Sequence, residues 1–255
     1  MTDRFDLTGH VALITGAGGG LGSGFAVALA EAGAKVVLCG RRKEPLEASA
    51  ERVAEAGGEA AVVPMDVTDA SSIAAGLDAA QQRFGVVDIV VCNAGVAGVG
   101  LATDMDEADW QQTIDVNLTG CWRLATEAAR RLIDAEQAGS IINITSILGH
   151  RVAKALGPYA AAKAGLEQLT RSLALEWARY GIRVNAIAPG YVSTDINSGF
   201  FETKAGQEML KRIPQRRLGD VEDLFGPLLL LASDAGGYMT GSTIVVDGGH
   251  LQSTL

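Results

Sequence analysis

The stretch Thr15-Gly16-Ala17-Gly18-Gly19-Gly20-Leu21-Gly22 decides the fold. It follows Val11-Ala12-Leu13-Ile14, a short aliphatic run with strand character, and it precedes an alanine-rich stretch that reads as a helix over 21–32. Strand, glycine loop and helix in that order form the turn where a doubly wound α/β sheet takes up a dinucleotide. Glycines let the backbone turn tightly and approach a pyrophosphate, and the helix start offers free N–H groups and a positive dipole end. The glycines at 16, 20 and 22 have the spacing G-x-x-x-G-x-G rather than G-x-G-x-x-G.

Outward from that loop, apolar runs recur at Lys35–Cys39, Ala60–Val63, Asp88–Cys92, Ser140–Thr145, Arg183–Ala188 and Thr243–Val246. Each is nearly continuous in Val, Ile and Leu rather than alternating, as expected of strands covered on both faces. Helical stretches at 43–56, 70–84, 107–134, 158–180 and 221–232 lie between them. Such alternation predicts an α/β fold: a Rossmann-type doubly wound sheet of about seven mainly parallel strands with helices on both faces. Asp69 is placed to cap the helix at 70–84, and Pro158 fits an early helical position. One domain spanning 1–255 is expected. The polar stretch 191–220 is the one long irregular segment and reads as a substrate lid.

Composition narrows the function. The chain has 255 residues, 48% of them hydrophobic, and a formal net charge of −9, which disfavours binding to nucleic acid or an anionic membrane surface. Cys39, Cys92 and Cys121 are odd in number and far apart, arguing against a disulfide framework, and no spacing of Cys, His or acidic residues suggests a metal site. The N-terminus lacks a basic region followed by an apolar one, and no apolar stretch is long enough to span a bilayer. A cytoplasmic protein acting on a small molecule is expected.

The second strand ends Leu38-Cys39-Gly40-Arg41-Arg42. An acidic residue at this point would accept a bond from a ribose 2′-OH, whereas a guanidinium suits a 2′-phosphate in charge and geometry. NADP(H) is therefore favoured and NAD(H) is possible. Asp66, after the third strand, could accept from an adenine amine or cap a turn with Asp69.

Tyr159 and Lys163 stand four apart on one predicted helix and share a face. With 4 tyrosines and 6 lysines in the chain, chance yields only roughly 0.1 such pairs. Ser146 ends the fifth strand, at the sheet edge where ligands bind in open α/β folds. Hydride transfer to a carbonyl carbon must be matched by proton transfer at oxygen. A free phenol titrates near pH 10, and a nearby ammonium favours its phenolate. A serine hydroxyl can hold the substrate oxygen in place.

Together the loop Thr15–Gly22, Asp66, Cys92-Asn93-Ala94-Gly95, Asn117, Ser146, Tyr159, Lys163 and Pro189-Gly190-Tyr191-Val192-Ser193-Thr194 resemble the short-chain dehydrogenase/reductase family, along essentially the whole chain. The resemblance implies a catalytic set of Asn117, Ser146, Tyr159 and Lys163, with Asn117 acting through a water. It implies cofactor contacts from Gly16, Gly20, Leu21 and Gly22, from Arg41 and Arg42, and from Asp66 and Val67. Asn93, Ala94 and Gly95 would add to these, as would Pro189, Gly190, Val192 and Thr194, with Lys163 holding the nicotinamide ribose. The substrate pocket would draw on Ser146, Leu148, His150, Leu156, Tyr191 and Phe200, with Ile147, Val152 and Phe201 nearby. A homotetramer formed through helices 107–134 and 158–180 and the last strand is also implied. Two positions depart from the family pattern. Cys92 stands where asparagine is usual, and Gly19 stands where NADP-preferring members often carry a basic residue, so the NADP expectation rests on Arg41. The expected activity is carbonyl or 3-oxoacyl reduction. The alternatives are an NAD-dependent sugar, polyol or gluconate-type dehydrogenase and, more remotely, a non-catalytic dinucleotide-binding protein.

Overall fold

The computed structural model describes residues 2–193, 201 and 203–253. Seven strands form one sheet: β1 (Val11–Thr15), β2 (Lys35–Gly40), β3 (Ala60–Pro64), β4 (Ile89–Cys92), β5 (Gly139–Ile144), β6 (Ile182–Pro189) and β7 (Thr243–Val246). Their spatial order is β3-β2-β1-β4-β5-β6-β7, and every pairing is parallel. The order reverses between β1 and β4, so the carboxyl ends of these two strands diverge into a crevice.

The continuous apolar runs have a direct explanation. Along β1, Ala12 and Ile14 enter one core while Val11 and Leu13 enter the other, and β2 repeats the pattern with Val36 and Leu38 against Val37 and Cys39. Helix α1 (Gly20–Glu31), through Phe25 and Leu29, and the helix Phe225–Ala232, through Leu228 and Leu231, cover the first face. Helices α3 (Ala70–Phe84), α5 (Gly120–Asp134) and α6 (Gly157–Trp177) cover the second. Helix α2 (Lys43–Glu55) packs beside α1. Asp69 caps α3 as expected, its carboxylate accepting from the Ser71 amide at 2.8 Å.

The helix expected over 107–134 is interrupted. It runs as α4 (Glu107–Ile114), a π-helical turn over Asp115–Thr119, and then α5. The extra residue carries Asn117 into the interior, where it is fully buried. Its Nδ2 donates to Val96 O and Thr113 O, both at 2.8 Å, and its Oδ1 accepts from Val96 N at 3.3 Å. Such insertions often mark functional positions. Among the described residues no helix is long and apolar enough to cross a membrane.

Candidate active site

The carboxyl ends of the strands open onto two adjoining hollows of about 460 and 340 Å³ that share Gly95 and Val96 as a common wall. The larger is lined from β1 by Gly16 and Gly20, from β2 by Arg41 and Arg42, from β3 by Asp66 and Val67, and from β4 by Ala94. The smaller is lined by Leu21, Asn93, Asn117, Ser146, Tyr159, Lys163, and by Pro189, Gly190, Tyr191 and Val192 after β6. Apart from Gly22, the described residues expected to hold a cofactor or to react line these two adjoining hollows.

The glycine loop is built for close approach. A Cβ on Gly22 would lie 2.3 Å from Gly16 O, so α1 can rest directly on the turn only with glycine there. No side chain caps α1 at Gly19, and its first turn holds no acidic residue, so its positive end is open to an anion. Asn93 ties the loop to β4. Its Nδ2 donates to Thr15 O at 2.9 Å, while the Thr15 hydroxyl accepts from the amides of Asn93 and Ala94 at 3.1 and 3.2 Å.

The turn-capping reading of Asp66 has a visible counterpart in its bonds to Thr68. Asp66 lines the larger hollow, and its Oδ1 accepts from the Thr68 amide and hydroxyl at 2.9 and 2.8 Å. Those two bonds hold its carboxyl below the usual carboxylate range, and the charge of Arg41 adds to the effect.

At the reacting end, Lys163 is buried, and its Nζ donates to Ile144 O at 2.8 Å and stands 5.5 Å from the centre of the Tyr159 ring. Ser146 Oγ accepts from Leu148 N at 3.1 Å, which leaves its own hydrogen free to donate into the hollow. Cys92 and Cys121 are free, buried thiols, and Cys121 Sγ donates to Asn117 O at 3.5 Å.

The substrate side departs most from expectation. Tyr191 lines the hollow, its ring edge-on to the buried Phe201 at 5.9 Å and tilted against His250 at 5.5 Å. Leu148, His150 and Leu156 are not among the described residues that line it. The turn Ile147–Gly149 packs against α6, and His150 Nε2 comes to 2.9 Å from Glu167 Oε1. Ile147 is buried, and Val152 points to solvent at 90% exposure. Thr194 and Phe200 lie outside the described residues. Sequence reasoning missed Val96, Ala97 and Val116, which tertiary folding alone brings to the hollows. The role of Thr15 had a readable signal, a hydroxyl ending an otherwise apolar buried strand.

Residues 16–250 match the family model described as enoyl-(acyl carrier protein) reductase. The chain is 40% identical to the 2-dehydro-3-deoxy-D-gluconate 5-dehydrogenase of Dickeya dadantii over 250 residues, 98% of each chain. It is 38% identical to the 3-oxoacyl-[acyl-carrier-protein] reductase of Synechocystis over 245 residues, covering 95% of this chain and 97% of that one. A gluconate 5-dehydrogenase from Burkholderia cenocepacia, solved with NADP and tartrate, superposes with a TM-score of 0.93 at 37% identity over 99% of both chains.

Proposed function

We propose, from the premise that this chain belongs to the short-chain dehydrogenase/reductase family, that it is an NADP(H)-dependent oxidoreductase interconverting a ketone and a secondary alcohol. The observation that carries this reading is the meeting of Asn117, Ser146, Tyr159 and Lys163 in one hollow that adjoins the larger one lined by Arg41. The dinucleotide, when bound, supplies or accepts the hydride.

The chain's own groups manage the proton and the geometry. Tyr159 gives its phenolic proton to the carbonyl oxygen in reduction and takes it back in oxidation. Lys163, fixed by the Ile144 carbonyl, sets its ammonium against the phenol ring, where it can stabilise charge that develops as the proton moves. Ser146 donates to the substrate oxygen, because its acceptor side already takes the Leu148 amide. Asn117 pins Val96 and extends the proton path through a water. Arg41 and Arg42 receive the 2′-phosphate.

The lid role of the segment 191–220, of which 194–200 and 202 lie outside the described residues, stays part of this proposal. Its stems are joined where Gly219 N donates to Tyr191 O at 2.9 Å and Ser193 N donates to Gly219 O at 2.8 Å. A single domain thus carries both cofactor and substrate. A homotetramer covers the apolar groups left exposed on the proposed faces: Trp110 on α4, Trp122 on α5, Leu175 on α6 and Val245 on β7. A second reading, oxidation of a sugar acid, is favoured by the names of the gluconate-type relatives.

Tyr159→Phe tests the assignment. We expect kcat to fall by about 10²–10⁴ while NADPH affinity holds. A variant that turns over at near the original rate would remove Tyr159 from the mechanism.

A further inference from the structure

We propose that Glu167 and His150 form a clamp that positions Ser146, which makes Glu167 a positioning residue for the reaction assigned above. The proposal rests on the catalytic reading of Ser146.

Glu167 stands one helical turn beyond Lys163 on α6 and is 3% exposed. A carboxylate so buried is costly unless paired. Its partners are few. Among the described residues Oε1 has no aligned hydrogen-bond donor; it lies 2.9 Å from His150 Nε2, and Oε2 is 3.8 Å from Arg171 Nη2. The turn after Ser146 passes directly above it. A Cβ on Gly149 would sit 2.9 Å from Glu167 Oε1 and 3.2 Å from the Lys163 carbonyl carbon, so only glycine lets the turn lie this close to α6.

The turn is a short, self-bonded unit. Ser146 Oγ accepts from Leu148 N, Ser146 O accepts from Gly149 N at 2.9 Å, and Ile147 O accepts from His150 N at 3.0 Å. Whatever holds His150 therefore holds the rotation of the unit that begins at Ser146. Just upstream, Lys163 grips the Ile144 carbonyl at 2.8 Å. Two grips from successive turns of α6 bracket Ser146, with Lys163 before it and Glu167 after it.

A role in stability alone accounts poorly for this carboxylate. Burial pushes it above the usual range, against the opposing pull of His150 from the turn, Arg171 on α6 and the Thr145 hydroxyl at the end of β5. A buried charge with a raised titration point destabilises the fold at neutral pH, because the folded form would rather hold the proton.

The test uses the full chain and four variants: Glu167→Gln, His150→Leu, His150→Gln and, as a control, Ser146→Ala. Amide hydrogen exchange over 147–151, kcat and KM, NADPH affinity and Tm are measured. The ketone is whichever of ethyl acetoacetate and 5-keto-D-gluconate the original enzyme reduces faster. For Glu167→Gln and His150→Leu we expect exchange over 147–151 to quicken and kcat to fall about tenfold or more, with KM and NADPH affinity little changed. Tm of Glu167→Gln should not fall, and His150→Gln, which retains an N–H at its tip, should recover most of kcat. Unchanged protection of 147–151 in both Glu167→Gln and His150→Leu would overturn the clamp, as would a loss confined to Tm. If Ser146→Ala keeps its turnover, the catalytic reading of Ser146 fails, and the exchange data still decide whether the clamp exists.

Discussion

Removal of the Arg41 guanidinium should change which dinucleotide the protein prefers. Strand β2 ends at Gly40, and Arg41 and Arg42 then line the larger hollow, both exposed. Asp66 lines the same hollow and feels the charge of Arg41. Two cations against one carboxylate leave a local positive excess within a chain of net charge −9, and a 2′-phosphate would neutralise it. A hydrogen bond to a charged partner contributes about 1.5–3 kcal/mol, and each 1.4 kcal/mol is a factor of about ten, so loss of Arg41 should weaken NADPH binding by roughly 10- to 150-fold. Because the site is exposed and screened by salt, the effect in Arg41→Ala should lie near the lower bound, and Arg41→Ala/Arg42→Ala should lose more. NADH lacks the phosphate, so its affinity should change by less than about threefold. Titration of nicotinamide fluorescence with NADPH and NADH reads both constants, and raising the salt concentration should narrow the original preference. If the ratio of the two constants moves by less than about threefold in the double variant, charge at this strand end does not select the cofactor and the argument fails.

Three further outcomes are expected. In Gly22→Ala the added Cβ meets the Gly16 carbonyl, a backbone atom that cannot swing aside; overpacking should remove about 1–3 kcal/mol of stability and weaken NADPH binding, read by thermal melting and the same titration. Leu175, 84% exposed on α6, becomes charged in Leu175→Glu; light scattering after size exclusion should show the assembly breaking down, whereas a monomeric parent protein would sink the tetramer assignment. Arg217 donates to Asp223 with Nη2 to Oδ1 at 3.0 Å and holds its carboxyl at about 2, below the ordinary 3.8. Stability from a lowered acid is present above its unfolded value and lost as pH falls toward the folded one. Urea melts should therefore separate Asp223→Asn from the parent by less than about 1 kcal/mol at pH 7, since the pair is exposed, with the gap closing near pH 2.

What could be read in advance followed from local rules. The central strands announced themselves because they are buried on both faces and so take apolar residues at nearly every position, as Val11–Ile14 and Ile89–Cys92 show. Tyr159 and Lys163 were legible because helical spacing alone puts them together. The π-helical turn was not, because its cause is tertiary: the Asn117 side chain satisfies the Val96 backbone across 21 residues of sequence. The direction of the turn after Ser146 was also hidden. It depends on how near Gly149 can come to α6, and that closeness sets His150 beside Glu167.

Helix α6 brings these strands of argument together. Tyr159, Lys163 and Glu167 occupy successive turns, and at 3.6 residues per turn each step of four rotates the side chain by about 40° around the axis. Tyr159 thus opens into the hollow and Lys163, also at its wall, tucks beneath Ile144, while Glu167 has rotated past the hollow to meet His150 under the Ser146 turn. One helix, through a fixed drift of its side chains, presents Tyr159 and Lys163 to the hollow and Glu167 to His150. Displacing α6 as a body would move all three together, so the relative geometry of the site depends on the helix register more than on its exact position over the sheet. The tight packing of Gly165 against Leu118 of the π-helical turn ties that register to Asn117 as well.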